Sequence, residues 1–397
     1  MLRSWAFVLL AVLLMLPLEG CWSRKELNEL GIVVGLGIDK DKDGYEVTVQ
    51  IVNPGQVSTR NGIRPEATPV SSFSETGETV PEAIRRMTTL VSKKLYFSHL
   101  RIVIFGEALA REGIAKPLDY ISRDRQMRND FYLVVAKGSK ASDILKISSP
   151  IDPIPANNLN VKLANSDKLW AATGQITLDR LMMDLQSPGK DPTLTGILIA
   201  GNKRGGETPS QRIEPRAALK YSGMAVFRQD RMVGWLDENG TKSLNYLQGR
   251  VHQTLATAKC PQGGTLSANI MNVKTRIRVG KSGDEPVINA HLRIEVDLAD
   301  AECKIDLSKN ESLTWIRKQL EKKTLSVLEE GLEQAQHQFH ADIYGFGRYV
   351  HRQQVGIWRK VDDWDEQFSR MKVRIYPDIH FRRIGTIQQP IEQVRRE

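Results

Sequence analysis

Gly31-Ile32-Val33-Val34-Gly35-Leu36-Gly37-Ile38, Asp39-Lys40-Asp41-Lys42-Asp43-Gly44 and Tyr45-Glu46-Val47-Thr48-Val49-Gln50-Ile51 follow one another without a break, and the fold class turns on them. The first eight residues are an apolar run rich in β-branched side chains. The next six are turn formers. Tyr45, Val47, Val49 and Ile51 then alternate with polar residues, a period of two that turns one face of a strand to a core and the other to water. Two such runs joined by an Asp/Gly-rich turn read as a β-hairpin.

Outward from this stretch the chain keeps the same habit. Residues 221–227 and 232–236 flank a turn at Gln229-Asp230-Arg231, and residues 265–279 and 287–298 flank Gly280-Lys281-Ser282-Gly283-Asp284. Both pairs read as hairpins. Single strands are expected at 100–105, 131–136 and 195–200. Helices are expected from 107 to 112, 141 to 147, 158 to 171, 177 to 186 and 239 to 247. Another is expected over 80–95, with Pro81 and Glu82 at its start and Ile84, Met87, Val91 and Leu95 on one face. Residues 53–69 are polar and read as a loop, and the prolines of 148–155 forbid regular structure there. Ser308 with Glu311 forms a capping-box pattern. Leu313, Ile316, Leu320, Val327, Leu328, Leu332, Ala335 and Phe339 then hold a helical period over about 30 residues, about 45 Å at ~1.5 Å each. Gly331 is a place for this helix to bend. The stripe fits burial on the chain's own sheet better than docking of a partner helix.

Hairpins with helices between them define an α+β class with mixed or antiparallel sheets, packed helices and a long amphipathic C-terminal helix. Gly201-Asn202-Lys203-Arg204-Gly205-Gly206-Glu207-Thr208-Pro209 is the clearest linker. The expected division is a signal peptide over 1–20, an N-terminal domain over 21–200, a linker over 201–216 and a C-terminal domain over 217–386.

The first residues carry an address. Arg3 supplies a positive start, residues 5–16 an apolar run, and Pro17-Leu18-Glu19-Gly20-Cys21 closes it. The run is shorter than the ~20 residues a spanning helix needs. A charged start, a short apolar stretch and a small residue before the cut describe an export signal. Leu18 three positions before Cys21, with Gly20 between, is a lipobox. Cys21 is then the lipidation site, its thiol taking a diacylglyceryl group and its freed amine an N-acyl chain. At about 0.8 kcal/mol per buried CH₂, three chains make the anchor effectively permanent. Glu19 departs from the pattern, since that position is usually small or apolar. The competing readings are an ordinary secretory signal with a chance cysteine, or an uncleaved anchor.

The 376 residues after Cys21 are long enough for two or three domains, and an apolar content of 41% supplies their cores. The net charge of +9 is spread along the chain, with 11 Lys/Arg against 7 Asp/Glu over 348–397. A mildly basic solvated surface explains it, and attraction to anionic lipid headgroups is the functional alternative. Nucleic-acid binding is disfavoured by export and by the lack of an aromatic–basic motif. Cys260 and Cys303 remain after lipidation. Their location permits a disulfide, but two separate buried thiols are the favoured reading.

Chemical motifs are weak. Asp39-x-Asp41-x-Asp43-Gly44 copies half of a calcium loop, but Gln50 stands where a bidentate Glu is needed and the residues between alternate like a strand. Gly35-x-Gly37 lacks the third glycine of a dinucleotide fingerprint and reads as close packing. His337 and His340 lie one turn apart with Asp342 nearby, without a further ligand at metal spacing. No pairing of a nucleophile with a base is visible. Catalytic residues, metal ligands and cofactors are therefore not expected. Asp342-Ile343-Tyr344-Gly345-Phe346-Gly347, followed by Trp358, Trp364 and Phe368, reads as a corner that turns the long helix back onto the last sheet, with Gly345 as its C-cap.

Four stretches together resemble the Ger(x)C lipoproteins, the C subunits of the nutrient germinant receptors of spore-forming bacteria. They are Gly20-Cys21-Trp22-Ser23-Arg24-Lys25-Glu26-Leu27-Asn28-Glu29-Leu30 running into residues 33–39; His99-Leu100-Arg101-Ile102-Val103-Ile104-Phe105-Gly106-Glu107 with residues 110–114 and Arg123-Asp124; Gly223-Met224-Ala225-Val226-Phe227 through Val233-Gly234-Trp235-Leu236; and residues 342–347 with Trp358 and Trp364. Ser23 stands where that family often has Asp. The resemblance implies a non-catalytic lipoprotein of mixed α and β structure on the outer face of the inner spore membrane, built of three domains, so that with one clear linker the third is assembled from discontinuous segments. It implies work with two integral membrane partners, a ligand-sensing A subunit and a transporter-like B subunit. A solute-binding lipoprotein of a nutrient transporter is the main alternative, and would need two repeated βα lobes around a cleft. An anchored envelope hydrolase would need a catalytic pattern that is not visible.

Overall fold

The computed structural model describes Trp5 and residues 29–53, 68–149, 151–201, 217–260, 263–302 and 305–383. The opening hairpin forms as read: β1 (Leu30–Lys40) and β2 (Tyr45–Val52) pair antiparallel, with Leu36 opposite Val49 and Ile38 opposite Val47. β3 (Val70–Gly77) adds antiparallel to β2. Of the loop expected at 53–69, residues 54–67 lie outside the described residues.

On the other side of β1 the chain does something the hairpins do not announce. β5 (Ile102–Gly106), β6 (Tyr132–Ala136) and β7 (Thr193–Gly201) run parallel to β1 and to one another. β8 (Ala217–Arg228) and β9 (Arg231–Leu236) then continue antiparallel. The sheet order is β3-β2-β1-β5-β6-β7-β8-β9, with β4 (Lys94–Tyr96) parallel beside the start of β1. Every residue of β5 is buried, as a central parallel strand covered on both faces must be. Parallel neighbours need crossovers, and helices supply them. These are α2 (Glu107–Glu112) and α3 (Ala115–Arg123) before β6, and α4 (Ala141–Leu145), α5 (Pro155–Leu169) and α6 (Leu178–Leu185) before β7. Val34, Ile102, Ile104 and Val134 pack with Ile144, Leu159 and Leu163 on one face. Leu36, Ile38, Val103 and Phe105 pack with Leu109, Leu118 and Ile121 on the other.

The second sheet is β10 (Thr254–Lys259), β11 (Thr265–Ser282), β12 (Glu285–Ala301) and β13 (Lys372–Arg383) in that order, antiparallel except for β12 with β13. α7 (Glu238–Leu247) joins the sheets. α8 (Asn310–Glu333) continues as a π-helical turn over Gln334–Phe339, and its buried residues Ile316, Leu320, Leu328, Ala335 and Phe339 join the core shared by both sheets. α9 (Phe346–Gln353), α10 (Val355–Trp358) and α11 (Trp364–Arg370) lead into β13. The class is α+β with mixed sheets.

Several local expectations are corrected. The helix expected over 80–95 stops early: α1 (Val80–Arg86) is followed by one 3₁₀ turn at Met87–Thr89, and Leu95 belongs to β4. Thr88 and Thr89 donate their hydroxyls to the carbonyls of Arg85 and Arg86, drawing the backbone out of the helix. Ser308 does not cap α8. Its hydroxyl donates to Asp306 at 2.6 Å, and Lys309 is the N-cap. Gly331 lies at a close contact, since an added Cβ would lie 2.3 Å from Ser243 Cβ on α7. His340 (φ +48°), not Gly345, ends the long helix, and Gly345 (φ +77°) precedes α9. The residues flanking 201–216 lie in β7 and β8, hydrogen-bonded neighbours of one sheet; residues 202–216 lie outside the described residues. Cys260, just after β10, is disulfide-bonded; Cys21 and Cys303 lie outside the described residues.

Candidate functional site

Cys21, the predicted lipidation site, lies outside the described residues. The other singled-out residues are placed, and most are joints of the fold. Asp39 leaves the acidic turn and points inward. Its carboxylate accepts from the backbone N–H groups of Ala141 and Ser142 at 2.8 and 2.9 Å, capping α4 from outside the helix. Burial holds its pKa above the usual range, against those two bonds. Gly106 makes room for it: a Cβ there would sit 2.1 Å from Asp39 Oδ1. Gly35 and Gly37 face α4, where added Cβ atoms would meet Leu145 at 2.8 Å and Ala141 at 3.1 Å. Glu107 accepts from the Gly138 N–H at 2.9 Å and from the Trp235 indole at 3.1 Å, tying the start of α2 to β9. His337 lies 3.7 Å from Glu333, while His340 bonds Ser369 at 2.8 Å, so neither approaches Asp342 as a ligand set. Among the described residues no group of three or more His, Cys, Asp and Glu could hold a metal.

The corner at 342–347 is built around one carboxylate. Asp342 is fully buried and accepts from the N–H groups of Gly345, Phe346 and Gly347 at 2.8, 3.0 and 2.7 Å and from the Trp364 indole at 3.0 Å. Its own N–H donates to Asp191 Oδ2 at 2.8 Å, and the Asp191 N–H returns a bond to the Asp342 carbonyl at 2.9 Å. Gly347 lies against the chain at Gly189, where a Cβ would be 2.5 Å from Gly189 Cα. Burial pushes the Asp342 carboxyl up to about 6. Burial, then the charges of Asp365 and Asp342, pushes Asp191 up to about 7. Beside this corner Asp184 and Lys190 form a buried ion pair at 2.7 Å. These groups are consumed by backbone donors or by each other, so they hold the corner closed and present no free acid or base. Asp191 carries no signal in the sequence, because its partner Asp342 is 151 positions away.

Open grooves are the remaining candidates. One, of about 730 Å³, lies between α1, the 91–97 segment and α3. Ile84, Val91, Leu95 and Phe97 floor it, and Arg85, Lys93 and Lys94 stand on its walls. A second, of about 580 Å³, runs past Lys162, Trp170 and Tyr221, and a third, of about 260 Å³, between Trp170, Lys242 and Lys323. Trp170 borders both and is 41% exposed, with the Lys242 ammonium 3.8 Å above its ring.

Residues 23–199 match the family model described as the spore germination protein N-terminal domain, and residues 222–385 match that of the spore germination B3/GerAC-like C-terminal domain. The chain is 28% identical to spore germination protein KC of Bacillus subtilis (strain 168), over 99% of this chain and 98% of that one. It is 20% identical to spore germination protein GerQC of Bacillus cereus, over 98% and 100% of the two chains. The crystal structure of the GerBC protein superposes with a TM-score of 0.55 at 20% identity, covering 88% of this chain and 97% of that one, a likeness of fold. The two matched models together take in nearly all of the chain, in order and around the joints described above, and the chain belongs to the GerAC family of spore germination proteins.

Proposed function

We propose that this chain is the lipoprotein subunit of a nutrient germinant receptor. Acyl chains on Cys21 hold it on the outer face of the inner spore membrane, and it acts by binding the integral membrane A and B subunits rather than by catalysis. The observation that carries the reading is the match to both halves of the spore germination family, over 23–199 and 222–385. The engaged state of the buried carboxylates supports a binding role, since Asp39, Asp342 and Asp184 are each occupied by structural partners. No described helix is long and apolar enough to cross a membrane, and the attachment proposed is the lipid on Cys21. The solute-binding alternative is weakened by topology: a nine-stranded and a four-stranded sheet of unlike order do not make two repeated lobes. Residues 21–200 and 217–386 remain the proposed domains. A third unit assembled from discontinuous segments would share the sheet to which both contribute strands.

A strain lacking the protein tests the reading. Spores should lose their response to at least one nutrient while vegetative uptake is unchanged, and crosslinking in spore membranes should recover integral membrane partners. A normal response to every nutrient, with some vegetative uptake lost, would transfer the assignment to the solute-binding alternative.

A further inference from the structure

We propose that the end of the large sheet carrying the groove between α1, β4 and α3 lies on the bilayer surface and binds anionic lipid headgroups. The inference rests on the reading of Cys21 as the anchor and adds an orientation to it.

The chain sets the first constraint. Nine positions separate Cys21 from Leu30, where β1 begins. At ~3.3–3.6 Å per residue the tether reaches at most about 30 Å. β1 itself has 11 residues and, at ~3.3 Å each, holds its far end, the turn at 41–44, more than 30 Å from its start. The end at Leu30 is therefore the one the anchor draws to the membrane. β4 pairs there, with Lys94 beside Leu30 and Leu95 beside Gly31. The loops that lead into β5 and β6 emerge at the same end, because those strands run parallel to β1.

Charge is the second, independent constraint, and it is unevenly distributed along the sheet. At the Leu30 end Arg85, Lys93, Lys94 and Arg125 are exposed and take part in none of the ion pairs among the described residues. Asp124, the carboxylate on the groove wall, is engaged by the Tyr120 hydroxyl at 2.9 Å and the Gln126 N–H at 2.8 Å. At the opposite end Lys40 pairs with Glu112, Lys140 with Glu46 and Arg111 with Glu107, and the exposed Lys42 stands in the turn between Asp41 and Asp43. Leu90, 52% exposed, and Val91 stand beside the unpaired bases. Unpaired cations next to exposed apolar side chains fit the boundary between anionic headgroups and acyl chains.

The test uses the full mature chain, acylated on Cys21, in vesicles of phosphatidylcholine with phosphatidylglycerol that carry a nitroxide headgroup quencher. A fluorophore is placed on Ser92→Cys at the groove or on Lys42→Cys at the far turn, and the parent chain labelled in parallel sets the background. The Ser92→Cys label should be quenched several-fold more than the Lys42→Cys label. Removing phosphatidylglycerol, or adding Lys93→Glu with Lys94→Glu, should erase the difference. Equal quenching at the two positions, or stronger quenching at the far turn, in acylated chain overturns the orientation and leaves the anchor standing. A difference that survives both the removal of phosphatidylglycerol and the charge reversal overturns the headgroup contact. If mass spectrometry finds Cys21 without acyl chains, the anchoring reading falls and takes this one with it.

Discussion

At the scale of residues, the side chains that looked chemical turn out to be structural. Asp39 was noticeable in an acidic turn, yet it caps a helix about a hundred positions away. Asp342 was noticeable in a corner of glycines and aromatics, and four N–H donors converge on it. Its neighbour Asp191 yields a prediction. Its folded-state pKa is raised from 3.8 to about 7 by burial and by Asp365 and Asp342. Below pH ~4 both folded and unfolded forms hold the proton and the contribution is fully present. As pH rises from there to about 7, only the folded form keeps the proton, so stability is lost by up to ~1.4 kcal/mol per pH unit. Asp191→Asn retains an acceptor for the Asp342 N–H without a charge. Urea unfolding at a series of pH values should therefore show a shallower fall between pH 4 and pH 7 in the variant; parallel curves would rule out Asp191 as the group responsible.

At the scale of elements, periodicity located most strands and helices, and failed where a contact outside the element decided its end. The helix over 80–95 had the right apolar spacing, but pairing of Leu95 beside Gly31 claims its last residues for a strand. Gly331 shows the same limit. A glycine inside a helix suggested a bend, and local spacing gave no sign of the close approach of α7 found there. Helix propensity favours Gly331→Ala by about 1 kcal/mol, whereas forcing a methyl against Ser243 and the Gly240 backbone costs about 1–3 kcal/mol. The net change should be destabilising. Gly356→Ala in α10, where nothing lies within 4 Å, should instead be neutral or stabilising. Thermal melts of the two variants side by side measure the difference, and a stabilising Gly331→Ala would mean that α7 and α8 do not pack this closely.

For the whole molecule, the proposed anchor makes position a testable property. Cys21→Ala should abolish acylation, release the chain from membranes and cripple the germination response, while circular dichroism and melting of the soluble part stay unchanged. Fractionation and germination assays on the same spores check this. Normal germination in a chain that has lost its lipid would make the anchor dispensable. The two matched family segments meet within one nine-stranded sheet, with β8 and β9 completing what β1 to β7 begin. Folding of the N-terminal segment is thereby coupled to the C-terminal one.

The sequence by itself determined the hairpins, the α+β class and the long helix, because each is written in spacing over a few neighbouring residues, a period of two or a period near 3.6; the Leu18–Cys21 pattern on which the proposed anchor rests is local in the same way. It also marked the residues of the joints, Asp39, Gly106, Trp235 and Asp342, without saying what they join. The parallel core β1-β5-β6-β7, the pairing of β7 with β8 and the partner of Asp191 were decided only in three dimensions. Buried parallel strands are apolar on both faces and carry no alternation to reveal their neighbours. A carboxylate's partner is set by where distant segments pack, which local spacing does not encode.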